Sequence, residues 1–284
     1  MTPPRYQVLL IGAMSKPYVA EAVTSAQAWL PSMADSRICD LSPATEGETW
    51  SGDLALVFGG DGAMLAAARR VAESGTPLLG VNMGRLGFMA EITPSRLQEC
   101  LASVIARRPA PVERMMIEGA VIRNGAETAR VRAVNDIVLS REAHSRLIEL
   151  KLFINGDEVT TYAADGIIIS TPVGSTAHSL AAGGPVLHPD LQDMVISPIC
   201  PHTLSNRPLV VSGGDVLEIE TFSRSVGYAL TADGQVFHEL RNADRVRIAR
   251  SPVSLKLIRA TDMTFYETLR AKLQWGGRPY YGKD

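Results

Sequence analysis

The residues most able to do chemistry lie in three short segments. The first is Leu54-Ala-Leu-Val-Phe-Gly-Gly-Asp-Gly-Ala-Met-Leu65. A strand that ends in glycines and opens at once into a helix presents backbone N–H groups and the positive end of a helix dipole, which together favour phosphate oxygens. Asp61 is the unexpected member, because a carboxylate in the middle of such a turn repels a phosphate placed directly on it. It can instead accept a hydrogen bond from a hydroxyl beside the phosphates, or hold a metal with its water. On spacing alone it serves equally as the N-cap of the following helix. The turn is not a Walker A loop, because G-x-x-x-x-G-K-S/T is absent from the chain. Nor is it a G-x-G-x-x-G fingerprint, because Leu65 stands where the third glycine belongs, so a standard dinucleotide-binding dehydrogenase loses support.

The second segment runs from Ala164-Asp165-Gly166 through Thr171-Pro-Val-Gly-Ser-Thr-Ala-His178 to Gly183-Gly184. A buried strand enters a stretch of small, hydroxylated residues and then a short helix that the glycines stop. Hydroxyls and N–H groups at a helix start make an anion or ribose site, and a Ser/Thr-capped helix is the alternative. His178 is either a ligand contact or simply packed. The third segment is Val134-Asn135-Asp136-Ile-Val-Leu-Ser-Arg141, with two adjacent polar residues opening a strand. Asn and Asp together can read the donor and acceptor edge of a base or ribose hydroxyls, although a plain turn is the more frequent use of the pair.

The elements that must position these residues change character near residue 110. Before it, strand-like runs at 6–11, 54–58 and 77–81 alternate with helix-like runs, the pattern of a parallel α/β sheet. The helical stripes are Val19, Ala22, Val23, Ala26 and Leu30, then 63–73, then Leu97, Leu101, Val104 and Ile105, with Thr93-Pro94 as N-cap and first-turn proline. A second glycine-marked turn spans Asn82 to Gly87. Beyond Pro109-Ala110-Pro111 the period becomes two: Ile148, Leu150, Leu152 and Ile154 face one way, before the hairpin signal Asn155-Gly156. Further strands are expected at 166–170, 208–212, 216–221, 226–231, 246–249 and 253–259, giving paired sheets or a sandwich. Residues 265–275 turn helical again. The expected organisation is an α/β N-terminal domain, residues 1–110 with a returning segment 262–284, and a mostly β C-terminal domain, residues 111–261.

Composition narrows the function classes. The chain has 284 residues, 28 Lys+Arg against 30 Asp+Glu, and 46% hydrophobic residues, which describes an ordinary globular protein. A net charge of −2 without a basic block argues against nucleic acid as a partner. Three cysteines without a C-x-x-C, and five histidines without H-x-x-x-H spacing, encode neither a disulfide framework nor a transition-metal site. No apolar run reaches the length of a membrane span, so a cytoplasmic location is expected.

The segments together resemble the NAD kinase family in its bacterial form. The resemblance rests on the GGDG turn at 59–62, Gly80-Val-Asn-Met-Gly-Arg-Leu-Gly-Phe88, Asn135-Asp136, Asp165-Gly166 with 171–181, Pro198-Ile-Cys-Pro-His-Thr-Leu-Ser-Asn-Arg-Pro208, and Asp233-Gly234-Gln235. It implies a Rossmann-like domain followed by an all-β domain, with substrate bound between them in a homodimer or homotetramer. The implied reaction is transfer of the γ-phosphoryl group of ATP to the 2′-hydroxyl of the adenosine ribose of NAD, giving NADP and ADP. Asp61 is then the catalytic residue, and Gly59, Gly60 and Gly62 admit the ATP phosphates. Dinucleotide contacts fall on Asp61, Gly62, Asn135, Asp136, Arg146, Ala163, Asp165, Thr176, Ala177, His178, Ser179, Leu180, Ala181 and Gln235. A divalent cation, Mg²⁺, arrives with ATP, and no protein metal site is expected. The chain departs from the family pattern at Ala63 (usually Asn or Thr), His178 (usually Tyr) and Ala163 (Arg in some relatives). The GGDG turn is shared with the diacylglycerol kinase and phosphofructokinase groups, which leaves a sugar or lipid kinase as one alternative and a non-catalytic dinucleotide sensor as another.

Overall fold

Apolar runs of five or six residues, each closed by glycine or asparagine, become parallel strands buried on both faces. In the computed structural model, which describes residues 5–42, 47–84, 87–141, 147–203, 206–222, 227–260 and 263–273, these are β1 (Gln7–Gly12), β3 (Leu54–Gly59) and β4 (Leu78–Asn82), with β2 (Asp35–Asp40) pairing on the outer side of β1. Between them lie α1 (Pro17–Trp29) and α2 (Asp61–Val71); β5 (Ala90–Ile92), α3 (Leu97–Arg107) and β6 (Val112–Arg114) follow. The helices α1 and α3 bury Val19, Val23, Ala26, Leu97, Leu101 and Val104 against Val8, Leu10, Leu54, Leu56 and Phe58. Met64, Ala67, Ala68 and Val71 of α2 are buried elsewhere, against β3 and β4.

One expectation and one alternative reading at helix starts are corrected. Thr93 does not cap a helix with its side chain: Pro94–Arg96 form a 3₁₀ turn, the Thr93 hydroxyl pairs with Ser95 Oγ at 3.1 Å, and α3 starts only at Leu97. Asp61 is not an N-cap either, since Gly60 holds that position and Asp61 is the first helical residue.

The second half is antiparallel. Its strands are β7 (Ile117–Arg123), β8 (Ala126–Ala133), β9 (Asp136–Arg141), β10 (Ile148–Ile154), β11 (Asp157–Ala164), β12 (Gly166–Ser170), β13 (Asp193–Ile199), β14 (Leu209–Ser212), β15 (Leu217–Thr221), β16 (Tyr228–Ala232), β17 (Val236–Leu240) and β18 (Arg245–Arg250), with the short α4 (His178–Ala181) after β12. They form two six-stranded sheets, ordered β11-β10-β15-β18-β7-β8 and β14-β13-β12-β9-β16-β17. Alternate residues of both sheets meet in one core: Ile117, Leu150, Leu152, Ile219 and Ile248 from the first, Ile137, Leu139, Ile167, Ile169, Ile196 and Leu230 from the second. Asn155 and Gly156 close the β10–β11 hairpin with φ of 53° and 90°, the paired positive values of a type I′ turn; Asn124-Gly125 does the same between β7 and β8.

The stretch expected as a strand at 253–259 of the β region is shorter and belongs to the other sheet. It forms β19 (Leu255–Leu257), which pairs in parallel with β4 at Leu257↔Leu78, and a terminal helix α5 (Phe265–Leu273) follows. The first sheet therefore runs β2-β1-β3-β4-β19-β6, with β5 also on β4. The chain divides into two compact units, Met1–Val112 with Lys256–Asp284, and Glu113–Leu255.

Candidate functional site

In the first unit, β3 delivers the chain to the turn and α2 carries it away with Asp61 at its first position. The carboxylate reaches sideways to the chain after β4: Phe88 N–H donates to Oδ2 at 2.9 Å and Met89 N–H to Oδ1 at 3.0 Å. One N–H on each oxygen fixes the carboxylate plane and leaves each oxygen further lone-pair capacity. Gly87 makes this approach feasible, because a Cβ there collides with Asp61 Oδ1 and lies 2.7 Å from Cγ. Gly59 similarly makes room for the methyl of Ala63. Lys272 of α5 lies over the Phe88 ring at 5.6 Å. Asp61 is half-buried while Gly60 and Gly62 are exposed, so the α2 N-terminus opens outward with its partial positive charge.

In the second unit, the expected dinucleotide residues fall into two groups at opposite ends of the paired strands β9 and β12. Their register, Asp136↔Ser170 through Ser140↔Gly166, spans roughly 14 Å between the groups at about 3.4 Å per residue. At one end stand Asn135 and Asp136 beside Asp233. At the other, Asp165 holds Arg141 by an ion pair at 2.7 Å, and Arg141 N–H donates to the Asp165 carbonyl at 3.0 Å. The Ala163 carbonyl there accepts His202 N–H at 2.9 Å. Arg146 lies outside the described residues. Asp136 is buried; desolvation first, and then the Asp233 carboxylate beside it, push its pKa up to about 7.

The hydroxyls between Thr171 and Ser179 are all engaged within the protein. Thr171 Oγ1 donates to the Val134 carbonyl at 2.5 Å and accepts Gly174 N–H at 3.1 Å, and Ser175 Oγ donates to the Pro172 carbonyl at 2.6 Å. Thr176 Oγ1 donates to the Val173 carbonyl at 3.2 Å, and Ser179 pairs with Ser197 at 3.0 Å. They shape the backbone, and Gly174 packs so closely on Asn135 that a Cβ there collides with its carbonyl. Ala177, His178 and Ala181 are exposed, Leu180 is half-buried, and Ser179 is buried. Gln235 is exposed, at the end of the Asp233-Gly234 turn.

Arg141, Gly87 and Asp233 are the contributors that residue types alone do not single out. Asp-Gly signals the turn at 233–234, but nothing local signals where its carboxylate reaches. Among the described residues, no group of three or more His, Cys, Asp or Glu side chains gathers as a metal site.

Residues 18–108 match the model of the ATP-NAD kinase N-terminal domain, and residues 134–260 that of the ATP-NAD kinase C-terminal domain. Fold and GGDG turn thus define an ATP-dependent phosphotransferase. The chain is 41% identical over 248 residues to an NAD kinase of Geotalea daltonii, covering 87% of each. It is 37% identical over 276 residues to one of Rhodopirellula baltica, covering 97% of this chain and 88% of that one. The chain belongs to the NAD kinase family. A yeast NADH kinase solved with NADH shares the fold, with a TM-score of 0.85 at 22% identity over 99% of this chain and 91% of that one. Both relatives are NAD kinases by name, and neither is a sugar or lipid kinase.

Proposed function

We propose that this NAD kinase uses Asp61 as its catalytic residue, in transferring the γ-phosphoryl group of ATP to the 2′-hydroxyl of the adenosine ribose of NAD. The observation that carries the reading is the Asp61 carboxylate, clamped by the N–H groups of Phe88 and Met89 at the start of a helix. A carboxylate held in this way aligns the hydroxyl and accepts its proton. The 2′-oxygen forms the bond to γ-phosphorus, the bond from that phosphorus to the β–γ bridging oxygen breaks, and ADP leaves. Because the transition state is loose, positioning and charge stabilisation matter more than base strength.

Gly59, Gly60 and Gly62 admit the phosphates against backbone, and the α2 N-terminus favours their charge. Asn135 and Asp136 hold one part of the dinucleotide, with Thr176, Ala177, His178, Ser179, Leu180, Ala181 and Gln235 lining it. Ala163, Asp165 and Arg146 serve the other group. Ser179 contributes through its backbone, since its side chain is buried against Ser197. Mg²⁺ comes as part of the ATP substrate and neutralises phosphate charge. The exposed Leu209, Val210 and Phe237 on the edge strands β14 and β17 support a homodimer or homotetramer. Three free cysteines, and no described helix long and apolar enough to cross a membrane, support a cytoplasmic site of action.

The test is NADP formation from NAD, ATP and Mg²⁺ by wild type and by Asp61→Asn, which keeps the side-chain shape. The variant is expected to fold and to lose about 10³-fold or more in kcat. Turnover within a few-fold of wild type would refute the assignment.

A further inference from the structure

The turn that closes the β16–β17 hairpin places Asp233 at φ 53° and Gly234 at φ 62°. Glycine fits such a position without steric cost, whereas an aspartate there is uncommon. What the aspartate adds is reach across 97 to 99 residues of chain. Asp233 Oδ1 accepts Asn135 N–H at 2.7 Å and Val134 N–H at 3.1 Å, Oδ2 accepts Val134 N–H at 3.2 Å, and Asp136 N–H lies 3.4 Å from Oδ1. The Asp233 N–H returns a bond to the Asp136 carbonyl at 2.9 Å. Three consecutive N–H groups converging on one carboxylate form an anion nest filled by the protein's own side chain.

The opposite side of the same three residues is tied down as well. The Val134 carbonyl accepts from Thr171 Oγ1 at 2.5 Å, and the Asn135 carbonyl accepts from Thr171 N–H at 2.9 Å and Ser170 Oγ at 3.2 Å. All six backbone polar groups of 134–136 are thereby engaged. By contrast, the Asn135 amide and the Asp136 carboxyl make no hydrogen bond among the described residues. Such a fixed backbone with two unengaged polar side chains is a platform for a ligand, because little freedom remains to be lost when the ligand docks.

We propose that Asp233 is a positioning residue for the dinucleotide: its carboxylate locks the backbone of 134–136 and so aims Asn135 and Asp136 at the substrate. This rests on the reading above, in which those two side chains contact NAD. Asp233 does not touch the substrate itself.

The test is steady-state kinetics of the full chain, varying NAD and ATP separately, with melting temperatures alongside. Asp233→Gly keeps the positive φ and removes the carboxylate, so it separates the clamp from the turn. It is expected to raise KM for NAD about tenfold or more, while KM for ATP stays within about twofold and kcat within a few-fold. Asp233→Asn keeps one acceptor oxygen and tolerates the turn, and is expected to recover part of that loss. It also carries the test if the glycine variant does not fold. Two results overturn the proposal: an unchanged KM for NAD in a folded variant, or equal losses for both substrates that track a lowered melting temperature. Asn135→Ala, measured in parallel, separates the two levels of the reading. If it raises KM for NAD while Asp233→Gly does not, only the positioning role falls; if it leaves KM for NAD unchanged, the dinucleotide assignment of Asn135 falls and takes the proposal with it.

Discussion

Asp136→Asn is expected to remove a pH dependence of stability that the wild-type protein carries. Asp136 is 5% exposed; burial, and then the neighbouring Asp233 charge, move its pKa from 3.8 to about 7. In the unfolded chain the same group titrates near its ordinary value, about 3.9. Between those two values the native state holds a proton that the unfolded state has already lost, so stability falls as pH rises through the window and is level above it. At about 1.4 kcal/mol per pH unit, the group removes about 4 kcal/mol between pH about 4 and pH about 8. The asparagine amide has no charge to bury, so the variant lacks this decline and is the more stable protein at pH about 8. Urea unfolding of both proteins at constant ionic strength, from pH about 5 to about 8.5, gives a difference curve in which the other titrating groups cancel. That difference should grow in favour of the variant by about 3 kcal/mol across the range, most of it below pH about 7. A flat difference, or a wild type that gains on the variant with rising pH, would show that Asp136 ionises like a solvated carboxyl and that burial beside Asp233 does not oppose its charge.

Gly87→Ala places a methyl group where Asp61 Oδ1 lies, so the carboxylate must leave the Phe88 and Met89 amides. The expected result is a loss of about 10²-fold in kcat with the folded state retained by circular dichroism, and an unchanged kcat would show that those amides do not position the acid. The cysteines should separate in thiol labelling under native conditions. Exposed Cys200 reacts first, whereas Cys39, whose pKa burial pushes up, reacts only on unfolding; early labelling of Cys39 would contradict the packing of β2.

What the sequence makes legible is what a few neighbouring residues determine. The run Leu54–Phe58, short and closed by glycines, reads as a strand buried on both faces, and Asn155-Gly156 signals a type I′ hairpin from two residues alone. The strand β2 escapes such reading because Asp35-Ser-Arg-Ile-Cys-Asp40 is a polar edge, held by its ladder to β1 and not by an apolar pattern. The segment 253–259 is a strand only at Leu255–Leu257, and its sheet depends on a pairing with Leu78, some 180 residues earlier, that no local period encodes. The site divides in the same way. Asp61 stands out because a carboxylate is chemically odd inside a glycine turn, but its amide partners lie 27 and 28 residues on, in a segment whose side chains give no hint of them. The hydroxyls from Thr171 to Ser179 show the converse: a serine that binds a ligand and a serine that braces a turn are the same letter, and the bonds to Val134, Pro172, Val173 and Ser197 are visible only in the structure. Residue type therefore identifies groups whose chemistry is out of place. It misses those whose importance lies in reaching the backbone of a distant strand, and Asp233, whose carboxylate crosses to the backbone of 134–136, is of this second kind.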